Sequence, residues 1–509
     1  MLSARNRHNR YKASNPKPAR LGRPGDRAGR SPEAAGVRIA GAMHASMHPL
    51  SNNRENAQLY AYESSVKAAF DAIVPTLKEV SALQHEAEFE KQAQLLARAR
   101  LGFELPAALL DDAWVTQLDM RSLFAWCLFE TYRRFCDDVI TQDPLGDNDD
   151  DLFQKLLQEC GFHTLDVSPC ADGRLAHVIR YVLRLPYKAV RRRSYAGAMF
   201  DIDDSLGKWV ETELVRFREG KPNTADAPTR YLKVVVYHHS SVDPQHEGCA
   251  AHGSDTEKAA RAGLDRLNGF REAVENSFCC GASIDLLLIG LDTDTDAIRV
   301  HMPDRQGSLA LDRYVDALEL YESTRSMGAS EAATAIVAAL RQSAPECAEG
   351  MQQLVARLIE NNISQIMYVK NAHGEHYPDI GHAERFIGAG VGFEEIQLRN
   401  LMYFAYLNTV EEATPDTDVG IKIFKGLNVA RGLPVPVVVR FDYHSKVPGA
   451  RERAVERCAR VAGALKTRYA DLAEKGLLHI LQLVRDCTTD AGVEVLACSV
   501  NAGVKAGAH

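Results

Sequence analysis

The sequence predicts an α/β protein in which a mainly parallel sheet flanked by helices occurs twice, the second time in degenerate form, behind an all-helical segment. Three observations predict it. Between about Leu152 and Phe393, short apolar stretches alternate with stretches of helical periodicity, the pattern of strand–helix–strand units. From about Glu63 to Ile140 only the helical period is present. From about Glu394 the chain echoes its own middle. At 509 residues it is long enough for two to four compact units. The expected division is a basic tail over 1–47, a helical domain over 48–148, an α/β domain over 149–393 and its repeat over 394–509.

Composition narrows the class. Hydrophobic residues make up 46% and charged residues 25%, as in an ordinary globular protein. No apolar run reaches eighteen residues, so a membrane span is excluded on length. The amino terminus has no apolar signal core, and a cytoplasmic protein is expected. Eleven cysteines in that reducing setting argue for free thiols or metal ligands rather than disulfides. Cys127, Cys136, Cys458 and Cys498 have apolar neighbours and read as packing residues. The adjacent pair Cys279–Cys280 makes poor chelate geometry and reads as packing, with redox sensitivity as the alternative.

The elements follow in order. Residues 1–47 carry basic side chains from Arg5 to Arg38 against only Asp26 and Glu33, and few large apolar residues. Such a stretch cannot offset its ordering entropy and is expected to be disordered. As a positive arm on a chain of net charge −8, it is expected to meet an acidic macromolecule. Val66, Phe70, Ile73 and Val74, then Leu123, Trp126, Cys127 and Leu128, recur at helical spacing. Ser65, Pro106 and Asp112 suit helix starts, and Asp147–Asp151 reads as a solvated linker. Thr164–Ser168 is expected to be a strand, Arg174–Leu185 a helix, Leu232–His238 a strand, Thr256–Ser277 a helix and Ile284–Leu291 a strand. Val437–Ser445 (VVVRFDYHS) then echoes Val234–Ser240 (VVVYHHS), and Asp416–Asp418 echoes Asp294–Asp296. The second copy has no cysteine where the first has Cys249, so it is expected to be structural.

The chemistry concentrates in Ser168–Arg174, SPCADGR. A thiolate (Cys170), a carboxylate (Asp172) and a guanidinium (Arg174) follow one another at the carboxyl end of a strand, where open α/β sheets bind ligands. At a helix start the Cys170 thiolate would be favoured by the local field. Some sixty residues on come His238, His239, His246, Cys249 and His252. Zinc prefers cysteine sulfur and histidine nitrogen, and catalytic sites keep one of four positions open. Cys170, one histidine and Cys249 would supply such a set.

These residues resemble the zinc site of β-carbonic anhydrases. The longer stretches CGFHTLDVSPCADGRL, HEGCA, FREAVEN, DTDTDAIRVH, DIGHAER and DVGIKIF are similar to the carboxysomal shell carbonic anhydrases, over about residues 50–480. That resemblance implies a β-carbonic-anhydrase-like fold with a degenerate second copy. It also implies Zn2+ as cofactor, CO2 and bicarbonate as substrates, and residence in a carboxysome beside Rubisco. Cys170, His238 and Cys249 are the implied metal ligands. A strand end holds His238 more rigidly than a loop holds His246, the alternative, and alternation turns His239 to the other face.

Asp172 and Arg174 are the implied catalytic pair, with Asp172 orienting the attacking oxygen and Arg174 holding Asp172 off the metal. If that pair broke, Asp172 would close the site as a fourth ligand. His382 is a candidate proton shuttle. Rubisco or shell proteins are the expected partners of the basic tail, with neither membrane nor nucleic acid among the partners. A homodimer or larger symmetric oligomer is expected. The competing reading is a carboxysome scaffold with a structural zinc; a cysteine redox enzyme is disfavoured because no Cys-x-x-Cys occurs.

Overall fold

A computed structural model describes residues 47–500, apart from 112, 114–115, 142–149, 187–188, 225, 279–283, 380, 394–397, 408–412 and 490. The basic segment before Met47, Asp112, the first part of the acidic run and Cys279–Cys280 therefore lie outside the described residues. No described helix is long and apolar enough to cross a membrane.

The amino-terminal region is helical, as Asn53–Asp71, Ile73–Ala82, Phe89–Leu101 and Met120–Thr141. The first helix starts at Asn52, whose Oδ1 accepts the Glu55 N–H at 3.1 Å. Its buried face carries Leu59, Val66 and Phe70 at helical spacing. Ser65, expected as a helix start, is interior to this helix; the Asn52 side chain competes better because it meets a free first-turn N–H. Pro106 precedes a 3-10 turn, Ala107–Leu109. Asp150–Asp151, expected as linker, instead open the helix Asp150–Glu159.

The first sheet has the order β2-β1-β3-β4-β5-β6. Its strands are β1 (Thr164–Pro169), β2 (Arg191–Arg192), β3 (Tyr231–His239), β4 (Ile284–Asp292), β5 (Ile298–His301) and β6 (Tyr314–Asp316). Strands β1 to β4 pair in parallel, and β5 and β6 antiparallel. Nearly every residue of β3 is buried, as a parallel strand covered on both faces requires.

The second sheet, ordered β11-β10-β9-β7-β8, repeats that plan. Its strands are β7 (Phe386–Val391), β8 (Met402–Tyr406), β9 (Val435–Tyr443), β10 (Leu478–Asp486) and β11 (Glu494–Cys498). β7 pairs in parallel with β8 and β9, β9 with β10, and β11 closes antiparallel, just as β1, β2, β3, β4 and β5 do. The VVVYHHS and VVVRFDYHS echo thus reflects equivalent strands, β3 and β9. The other echo does not: Asp294–Asp296 lie in the turn after β4, while Asp416–Asp418 lie in the helix Ala413–Leu427. Gly392 follows β7 where Cys170 follows β1, so the second copy lacks that cysteine.

The two sheets meet at β8. Its Phe404 N–H donates to the Ala171 carbonyl and its Tyr406 N–H to the Ser194 carbonyl, each at 3.0 Å. Ala171 N–H in turn donates to Tyr195 O at 2.9 Å. The segment after β1 is therefore held between both halves of the fold.

The helix expected over Arg174–Leu185 is not regular. A 3-10 turn, Gly173–Leu175, leads into a π-helical turn, Val178–Val182. Every residue from Leu165 to Leu183 is buried. With no solvent face to satisfy, tertiary packing sets the turns rather than an amphipathic α-helical repeat.

Candidate metal centre

β1 and β3 run side by side, with Pro169 paired to Val236, so their carboxyl ends deliver Cys170 and His238 to one place. Cys249 arrives from the loop after β3, just before the 3-10 turn Ala250–His252. One donor atom from each lies within 4.8 Å of the others, and all three side chains are buried. The Cys170 and Cys249 Sγ atoms are 3.9 Å apart. The His238 Nε2 faces the same site, 3.3 Å from Asp172 Oδ2. His246 does not join them; its side chain is 75% exposed and its Nδ1 meets Asp243 at 2.8 Å. His252 instead bonds the Gly197 carbonyl at 3.1 Å.

The donor set fits zinc. A tetrahedral ion about 2.3 Å from each sulfur sets the sulfurs roughly 3.8 Å apart, close to the separation found. The thiols show what such an ion must supply. The Cys249 neighbour and burial push the Cys170 thiol well above its ordinary pKa. Cys249 is lowered, first by the Cys170 thiol and also by backbone N–H groups. The expectation that a helix start favours the Cys170 thiolate is corrected, because no α-helix begins there. A cation bound here would favour the thiolate form of Cys170.

Asp172 and Arg174 sit against this set. Asp172 Oδ1 accepts the Arg174 backbone N–H at 2.9 Å and Nε–H at 3.0 Å, and Oδ2 accepts Nη2–H at 2.8 Å. Arg174 also donates to the carbonyls of Glu247 and Gly248, the two residues before Cys249. One guanidinium thus fixes both the carboxylate and the loop that carries a sulfur. Burial would raise the Asp172 pKa, but Arg174, His382 and His238 outweigh it and hold the carboxyl well below its usual range. Burial would lower His238, yet Asp172 raises it above its ordinary value.

The structure also brings in Glu384, a residue that sequence reasoning missed. Its side chain is fully buried, and Oε1 accepts the Gly173 N–H at 3.1 Å and meets His382 Nδ1 at 3.0 Å. His382 Nδ1 lies 3.9 Å from Asp172 Oδ2, and its side chain is 22% exposed. Burial lowers its pKa, but Asp172 and Glu384 together push it up to about 9. The only signal for Glu384 was its place inside the stretch DIGHAER.

Residues 152–382 match the model described as Carboxysome Shell Carbonic Anhydrase, catalytic domain. Residues 48–140 and 383–500 match the N-terminal and C-terminal models of the same family. A carboxysome shell carbonic anhydrase of Parasynechococcus marenigrum (strain WH8102) is 58% identical over 458 residues, 89% of this chain and 79% of that protein. One from Prochlorococcus marinus (strain MIT 9313) is 56% identical over 458 residues, covering 89% of each chain. A third, from Halothiobacillus neapolitanus (strain ATCC 23641 / c2), is 45% identical over 463 residues, 88% of this chain and 90% of that protein.

The chain belongs to the carboxysome shell carbonic anhydrase family.

Within the carboxysome shell carbonic anhydrase match, Cys170, Asp172, Arg174, His238, Cys249 and His382 all fall in the catalytic-domain segment. Glu384 falls in the C-terminal segment of the same family. The buried site is therefore built from two of the three family regions.

Proposed function

We propose that the chain catalyses reversible hydration of CO2 to bicarbonate inside carboxysomes, at a zinc held by Cys170, His238 and Cys249, and so supplies CO2 to Rubisco. The observation that carries this reading is the buried group of two sulfurs and one imidazole, with the sulfurs 3.9 Å apart, beside the paired Asp172 and Arg174. Among the described residues that group has three donors, where a closed structural zinc site has four. A scaffold with a structural zinc is correspondingly disfavoured.

When bound, zinc supplies Lewis acidity that brings the pKa of water towards roughly 7. The chain's own residues do the rest. Asp172 accepts a hydrogen from the attacking water and so aims an oxygen lone pair at CO2. Arg174 occupies both Asp172 oxygens and keeps the carboxylate from becoming a fourth ligand. The buried walls exclude bulk water and strengthen these charge interactions. His382, partly exposed and close to Asp172, offers a route for the proton to solvent.

The helical region, the catalytic unit and the degenerate copy act together as a homodimer or larger symmetric oligomer. The basic segment 1–47 binds Rubisco or another acidic carboxysome component; a tail-deleted protein retained as well as the full chain at all salt concentrations would contradict that.

Stopped-flow CO2 hydration, with zinc quantified on the same samples, tests the function for wild type and Cys170→Ala. Activity and bound zinc in the wild type, both lost in the variant, are expected. A zinc-loaded wild type with no activity under any pH or buffer would overturn the enzyme reading.

A further inference from the structure

We propose that Glu384 is a positioning residue, a buried clamp by which the C-terminal region sets the height of the Asp172 turn. The inference rests on the reading above. Glu384 Oε1 accepts from the backbone N–H of Gly173, the residue directly after Asp172, and also meets His382 Nδ1. Its own place is fixed by its chain neighbourhood: Arg385 N–H donates to Leu401 O at 2.9 Å, and β7 begins at Phe386. The Gly173 N–H is thereby tied to the start of the second sheet through the Glu384 carboxylate.

The contact is close on the other side too. A Cβ built on Gly173 would run into Glu384 Cγ. Glycine is required there by the clamp rather than by backbone conformation, since Gly173 is absent from the positive-φ residues. Asn400, also beyond the catalytic-domain match, donates its N–H to the Gly173 carbonyl at 2.9 Å. Both the N–H and the carbonyl of Gly173 are thus gripped by the C-terminal region.

Stability alone does not explain the choice of glutamate. Oε2 is buried and has no hydrogen-bond partner among the described residues. A buried carboxylate oxygen left unsatisfied is costly, and such a group in a native fold calls for an explanation other than stability. The same carboxylate holds the His382 ring through its Nδ1–H.

Glu384→Ala, Glu384→Gln, Gly173→Ala and the double variant Gly173→Ala/Glu384→Ala test the clamp in the zinc-loaded full-length protein. Two readouts are taken: kcat/KM for CO2, and the rate of zinc loss to a chelator. Gln keeps an acceptor for the Gly173 N–H, so Glu384→Gln stays within a few-fold of wild type while Glu384→Ala loses about tenfold or more in kcat/KM. Gly173→Ala alone loses more activity and releases zinc faster than Glu384→Ala, and removal of the Glu384 side chain in the double variant returns both to the Glu384→Ala level. Independent, multiplicative losses for Gly173→Ala and Glu384→Ala would overturn the inference, as would wild-type kinetics in Glu384→Ala. An inactive wild type would instead overturn the functional reading, and the zinc-release cycle would still decide the clamp.

Discussion

Arg174 and Asp172 form a two-pronged ion pair in which the guanidinium has no exposed surface and the carboxylate only 4%. Exposed pairs are worth under about 1 kcal/mol. This one is buried, and the same guanidinium holds the carbonyls of Glu247 and Gly248, so Arg174 acts on the Asp172 side and the Cys249 side of the site together.

Lysine at position 174 keeps the charge and loses the fork. Arg174→Lys is expected to lower kcat/KM by about a hundredfold, with partial loss of zinc as the Cys249 loop loosens. Stopped-flow rates and metal analysis on the same sample check this. Arg174→Met leaves a buried carboxylate unpaired and is expected to destabilise by about 3–5 kcal/mol.

A second buried pair, outside the site, ties β1 to β3. Lys233 Nζ lies 2.9 Å from Asp166 Oδ2, 2.9 Å from Ser168 Oγ and 4.1 Å from the centre of the Phe200 ring, with both charged side chains fully buried. Asp166 also meets Arg191 at 2.6 Å, and these cations outweigh burial to hold its carboxyl well below the usual range. Lys233→Met removes one of its two cations. A loss of about 3 kcal/mol in denaturant unfolding is expected, with Cys170 and His238 losing register through the shared strands.

Acid sensitivity is expected to begin at a histidine. Burial pushes the His48 pKa down to about 4 despite the nearby Glu322 and a backbone carbonyl. Its Nδ1 accepts the Leu50 N–H at 3.2 Å, and its Nε2 meets Thr324 Oγ1 at 3.0 Å. Protonation at Nδ1 breaks the first bond. Because the folded-state value lies below the ordinary 6.5, the native state binds fewer protons between these limits. Stability from this group is therefore complete above pH 6.5 and falls as pH drops towards 4. Thermal unfolding followed from pH 7 to 4 is expected to show a declining Tm, with a shallower decline in His48→Asn. An unchanged slope in that variant would contradict the assignment.

The second sheet is expected to be indispensable to the first. Phe404 N–H bonds Ala171 O, Asp416 Oδ1 accepts the Ala196 N–H at 2.7 Å, and Ala171 belongs to the apolar core of the second sheet. A chain ending at residue 382 uncovers these groups beside Cys170. It is expected to be insoluble or zinc-free, as metal analysis of the purified fragment would show.

The sequence carried the fold where burial was one-sided or strands were continuous. The run Leu232–His238 and the amphipathic helix Thr256–Phe278 were legible for that reason. The meeting of Cys170, His238 and Cys249 was legible because two of them stand at the carboxyl ends of strands read as neighbours and the third in the loop that follows. Residues 174–185 were not, because burial on all sides removes the periodic signal that a helix needs. Glu384 was hidden for a different reason. Its partner Gly173 is 211 positions away, and nothing local distinguishes a buried glutamate from an exposed one. Its role appears only once β8 has brought the second sheet against the first.

Cys170, His238 and Cys249 are proposed to hold the catalytic zinc. Zinc content and CO2 hydration measured together on His238→Ala and His246→Ala test this most directly. Wild-type zinc and near wild-type rates are expected in His246→Ala, and loss of both in His238→Ala. Full zinc and activity in His238→Ala, with both lost in His246→Ala, would contradict it.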